Sequence, residues 1–177
     1  MRSRSQPTGS LSAIPSVPDV QASQLTTVGS PDGKFTLTMK QEKGTDTLNY
    51  RFLVTDESTS VQKEILTKNV PLGTTLSIPA NTFSSDNKYV FLQENGGAES
   101  GYIVLAVSGA SIGDSQTLNV SSLFIAKHSN YVITGATGWA GPTLLVINTD
   151  KVEGGRGPSF WFDVASKSFI QLSTRFN

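Results

Sequence analysis

The side chains able to do chemistry are few and widely spaced. His128 is the only histidine, and there is no cysteine. A zinc or copper centre would have to lean on carboxylates, and a Ser-His-Asp triad would need His128 as its base. That residue stands in Lys127-His128-Ser129-Asn130, a run of polar residues typical of turns. No Gly-x-Ser-x-Gly elbow accompanies it. The carboxylates Asp32, Asp56 and Asp86 fall at turns, where Asp accepts hydrogen bonds from its own backbone, and Asp163 lies in a hairpin. No Asp-x-Asp-x-Asp-Gly loop provides for calcium. The residues give no catalytic constellation, so the expectation is no enzyme, no metal and no cofactor.

Two sites remain as ligand-binding candidates. Gly138-Trp139-Ala140-Gly141-Pro142 is expected to be a glycine-flanked loop that carries an indole. An exposed ring on a rigid β scaffold can stack on sugars or peptides, whereas a ring folded back would cap the core. The capping role is the favoured one. Gly154-Gly155-Arg156-Gly157 has the composition of an anion cradle, with Arg156 as a partner for carboxylate or phosphate. It lacks the Lys-Ser/Thr ending and following helix of a phosphate loop, so a plain hairpin tip is favoured. Asn119-Val120-Ser121 fits the glycosylation triplet, which matters only in a secreted eukaryotic chain.

These residues must be positioned by strands. Ser30-Pro31-Asp32-Gly33-Lys34 is a turn, and Phe35-Thr36-Leu37-Thr38-Met39 behind it alternates apolar and polar side chains. Pro presets the corner, Asp closes it, and Gly takes the positive φ that ends it. The pattern returns 54 positions later as Ser84-Ser85-Asp86-Asn87-Lys88-Tyr89-Val90, a spacing that marks structural repeats. Asp32, Gly33, Asp86 and Asn87 are therefore read as structural turn residues. The first unit reads as a three-stranded meander of Phe35 to Lys40, Leu48 to Thr55 and Val61 to Thr67. In the second, a hairpin at Glu94 to Gly101 leads into Tyr102 to Val107, which is continuously apolar and so buried on both faces. A third unit is expected to reopen at Tyr131-Val132-Ile133, in the place of Tyr89-Val90-Phe91. No segment shows a helical period.

Composition narrows the class. Lys plus Arg and Asp plus Glu both number 14, so no charge excess favours nucleic acid or an anionic membrane. Zero net charge gives weak colloidal protection and favours self-association. No apolar run reaches the roughly 18 residues of a membrane span. Residues 1–24 are rich in Ser, Pro, Gln and Thr, the composition of a disordered linker. Such tracts often tether extracytoplasmic domains, so a periplasmic, secreted or surface-anchored location is favoured. The basic start Met1-Arg2-Ser3-Arg4-Ser5 is followed by no apolar stretch of a signal peptide.

A Ser-Pro-Asp-Gly-Lys turn before an alternating strand resembles the WD40-like repeats of TolB-type β-propellers. Phe83-Ser84-Ser85-Asp86-Asn87-Lys88-Tyr89-Val90 repeats it with Ser for Pro and Asn for Gly. Phe160-Trp161-Phe162-Asp163-Val164-Ala165-Ser166-Lys167 is similar to the outer hairpin of such a blade. The resemblance implies antiparallel meanders arranged as about three propeller-like blades over residues 25–177. It also implies structural turns without catalysis, and a role in binding a protein or other ligand. Three blades do not close a ring, so an incomplete propeller or a β-sandwich stays open. The expected function is a non-enzymatic binding or scaffolding module. The alternatives are a glycan-binding or hydrolase accessory domain using Trp139, and a truncated propeller fragment.

Overall fold

The computed structural model describes residues 23–96 and 101–176. Nearly all of the linker expected at 1–24, and the tip of the hairpin expected at Glu94 to Gly101, lie outside the described residues. Runs of β-branched and aromatic residues between turns become β1 (Gln24–Gly29), β2 (Phe35–Lys43), β3 (Thr47–Asp56) and β4 (Val61–Pro71). After them come β5 (Thr75–Ser77), β6 (Tyr89–Asn95), β7 (Gly101–Ala106) and β8 (Thr117–Asn119). A short helix, α1 (Val120–Lys127), precedes β9 (Tyr131–Trp139), β10 (Leu144–Lys151), β11 (Arg156–Asp163) and β12 (Ser168–Gln171). The strands form three four-stranded antiparallel sheets, β1 to β4, β5 to β8 and β9 to β12, each paired in chain order. The fold is all-β, and each sheet is an open meander.

Side-chain alternation decides how the sheets stack. Leu37, Tyr50, Phe52 and Val54 of the first sheet share one buried cluster with Val90, Leu92, Ile103 and Leu105 of the second. The opposite face of the second sheet sends Phe91, Tyr102 and Val104 into a cluster with Leu145, Ile147 and Phe162 of the third. The middle sheet is thus covered on both faces. This explains the unbroken apolar run in β7, where both orientations of side chain must be dry.

Polar bonds tie the layers as well. Lys68 Nζ meets the buried Glu94 carboxylate at 2.5 Å, from β4 to β6. Gln116 Nε2 donates to Ile65 O at 2.8 Å, and Lys63 Nζ donates to Ser108 O. Between the second and third sheets, Asn81 Nδ2 donates to Thr137 O (3.2 Å) and Trp139 Nε1 to Thr82 O (2.9 Å).

Four expectations are corrected. The first unit has four strands, because β1 pairs along its length with β2 from Gln24↔Gln41 to Gly29↔Thr36. Its residues are mostly exposed, so its apolar pattern is faint. Residues 120–127 are helical although no helical period is visible. Asn119 caps the helix by accepting from Ser122 N at 2.8 Å, and two turns are too few to display a period. Trp139 ends a strand instead of standing in a loop. Tyr131 is not the counterpart of Tyr89, because it opens the first strand of its sheet and Tyr89 the second strand of its own. Leu144 takes that place: Ala140 N donates to Leu144 O as Ser84 N does to Tyr89 O.

Candidate functional site

The two related turns are built from the same bonds. In the first, Ser30 Oγ donates to Asp32 Oδ1 at 2.8 Å and accepts from Phe35 N at 3.0 Å, and Lys34 N donates to Asp32 Oδ1 at 3.1 Å. In the second, the bonds Ser84 Oγ to Asp86, Tyr89 N to Ser84 Oγ and Lys88 N to Asp86 measure 2.9, 3.0 and 3.2 Å. Gly33 (φ +72°) and Asn87 (φ +57°) occupy the left-handed corner, which Gly and Asn accept most readily. A lysine then pairs with each carboxylate, Lys34 at 3.2 Å and Lys88 at 3.0 Å.

These turns lie at one end of the sheets, beside two depressions. The larger is a groove of about 890 Å³ between the first two sheets. Phe35, Val54, Tyr89, Val107 and Ile112 give it an apolar lining, and Asp56, Lys63, Asp86 and Lys88 contribute charges of both signs. The segment 108–113 forms one wall and packs on β4, where Gly109 sits within a Cβ's reach of Lys63 and Ile65. Val61 lines the same groove and is 61% exposed. The second depression, about 500 Å³, draws on all three sheets through Asp32, Asn81, Asn87, Thr137 and Trp139, with the C-terminal Phe176 at its side. Tyr89 and Trp139 are stacked, their ring centroids 6.2 Å apart. Tyr89 lines the groove and Trp139 the second depression.

Of the sequence candidates, the structure brings Asp32, Asn87 and Trp139 to one depression and leaves Arg156 elsewhere. Trp139 pairs with Leu145 at one end of β10, and Arg156 pairs with Asp150 at the other. That separation is about 16 Å along the strand. The glycines beside Arg156 serve the backbone: Gly154 and Gly155 turn the hairpin at φ +99° and +89°. At Gly157 a Cβ would stand 2.5 Å from Thr149 Oγ1. Asp150 is claimed from the C-terminus by Arg175 Nη1 at 2.9 Å.

The turn carboxylates are held ionised by bonds within their own turns. Ser30 and the Lys34 N–H hold Asp32 well below the usual carboxylate range. Burial pushes Asp86 up, but Lys88 and Ser84 outweigh it and the net shift is down. Ser58 lowers Asp56, and Ser166 lowers Asp163 against the opposing effect of burial. Carboxylates held ionised are poor proton donors near neutral pH. His128 ends α1, its ring centroid 5.0 Å from that of Phe124, 4.8 Å from Phe160 and 5.6 Å from Phe169. Burial, with Lys127 beside it, lowers its pKa. Among the described residues no three His, Cys, Asp or Glu side chains gather as a metal site.

The groove residues Phe35, Val61, Tyr89 and Ile112 were not singled out as a site from the sequence. Each reads there as an ordinary strand or loop residue, and nothing local shows that 108–113 crosses to β4. Phe176 lacked a signal too, since it gains its role when the chain folds back to let Phe176 N donate to Ser159 Oγ at 2.9 Å. Comparison with protein-family models gives no match, and a search of curated proteins finds no significant relative.

Proposed function

We propose that this chain is a non-enzymatic, propeller-like binding module in which each four-stranded meander serves as a blade. The groove between the first two blades takes an extended segment of a partner protein. Three features support the propeller-like reading. The meanders follow one another in chain order, the middle one packs a face on each neighbour, and the first two share one turn design. The observation that carries the binding role is the groove itself. Its volume lies in the range of ligand pockets, and its lining is apolar with a few charges of both signs. A segment with an apolar anchor flanked by charged residues complements such a lining.

The test is to pan a random peptide library displayed on phage against the wild-type domain. Enriched peptides are then titrated calorimetrically against wild type and Val61→Arg. Val61 is exposed, so the arginine should leave the melting temperature unchanged while weakening the peptides at least about tenfold, or about 1.4 kcal/mol. Absence of enrichment, or peptides indifferent to Val61→Arg, would overturn the reading.

A further inference from the structure

We propose that the second depression, where the three sheets meet, is a carbohydrate site for a neutral pyranose ring. Its floor and walls combine the two things a sugar requires. Trp139 offers an aromatic surface whose orientation is fixed from several sides: Nε1 donates to Thr82 O at 2.9 Å, and the ring stacks on Tyr89 and meets Phe91 edge-on. A ring held this way loses little side-chain freedom on binding, which favours stacking against the C–H face of a sugar. Around it stand a carboxylate (Asp32), two carboxamides (Asn81 and Asn87) and two hydroxyls (Ser85 and Thr137). Together these side chains supply both donors and acceptors, the mixture that vicinal hydroxyls satisfy.

Charge argues for a neutral ligand. The one carboxylate, Asp32, is already matched by Lys34 at 3.2 Å, and no other ionisable side chain lines the depression. An organic cation would compete with Lys34, and a phosphate would face Asp32. Asp32 stays ionised through its Ser30 and Lys34 N–H bonds, so it is an acceptor throughout the neutral range. The site is distinct from the peptide groove, and the Tyr89–Trp139 pair divides the two.

A glycan array of mono- and oligosaccharides probed with the wild-type domain gives the first readout, followed by calorimetry with the best free saccharide. Trp139→Ala should reduce affinity by at least about tenfold. Because Trp139 also bonds Thr82, two rim variants keep the test independent of folding. Thr137→Ala and Phe176→Ala, at exposed positions, should each weaken binding about threefold or more with an unchanged melting temperature. No array signal from wild type would overturn the proposal, as would equal affinity in all three variants. So would saturable binding of tetramethylammonium or inorganic phosphate, without sugar, that Phe176→Ala weakens. A missing sugar signal with intact peptide capture at Val61 would fail this proposal alone.

Discussion

The turns Ser30–Phe35 and Ser84–Tyr89 share their bonds and differ in their surroundings. Corresponding distances agree within about 0.1 Å. Yet Gly33 is exposed, with nothing within reach of a Cβ there, and Asn87 is buried where the groove and the second depression meet. The third sheet dispenses with the pattern. Its turn runs from Ala140 N to Leu144 O, one residue shorter, with no serine or aspartate to close it. Ser, Asp and a residue tolerant of positive φ are therefore one sufficient solution to the corner, and the fold does not demand it. What distinguishes the second copy is its position between two packed sheets, which makes a local turn into a partition between two cavities.

Breaking the shared serine should have the largest effect. Ser84 is fully buried, and Ser84→Ala leaves the Tyr89 N–H without its acceptor, at a cost of about 1–3 kcal/mol. Ser30 is also buried, at 6% exposure, but all four residues of its turn, 31–34, are exposed, so water reaches the Phe35 N–H more easily and Ser30→Ala should cost less, about 1 kcal/mol. Urea unfolding of both variants measures the difference, and equal losses would show that the surroundings are irrelevant.

The corner residue comes next. Gly33→Ala should destabilise by about 1 kcal/mol, because an alanine pays the left-handed penalty that Gly33 avoids. Asn87→Gly should be close to neutral for the backbone, and a large loss would mean that the Asn87 side chain holds the partition together.

The pH profile separates turn carboxylates from the helix end. Folding depresses the pKa of His128, so its contribution is present above about 6.5 and fades as pH falls through the lowered folded value. Asp32, Asp56, Asp86 and Asp163 are depressed too. Their contribution is present above about 3.9 and fades on further acidification. Melting temperatures should fall in two stages, and His128→Asn should abolish only the first. The smallest effect is expected from Lys34→Ala and Lys88→Ala. Both lysine side chains are about three-quarters exposed, and thermal melts should barely move for such surface pairs.

Much of the fold was legible because strands announce themselves locally. The alternation in β2 and β3, the dry run in β7 and the turn residues Asp32 and Asp86 needed only period and turn chemistry. The helix 120–127 escaped notice because its start depends on one side chain, Asn119, and two turns show no period. The equivalence of Tyr131 with Tyr89 failed for a related reason. Aromatic and β-branched residues begin any strand, so composition cannot say which strand of a meander is starting.

The candidate site divides along the same line. Trp139 and the turn residues stood out by type, whereas Val61, Ile112 and Phe176 became site residues through contacts from distant parts of the chain. By itself the sequence determined the all-β class, the repeated turn and the scarcity of catalytic groups, since these follow from residue type and short-range spacing. Only the tertiary structure decided that Trp139 faces a depression while Arg156 stands about 16 Å away along β10. Such a choice depends on how whole sheets stack, and stacking is settled by the summed burial of side chains far apart in the chain.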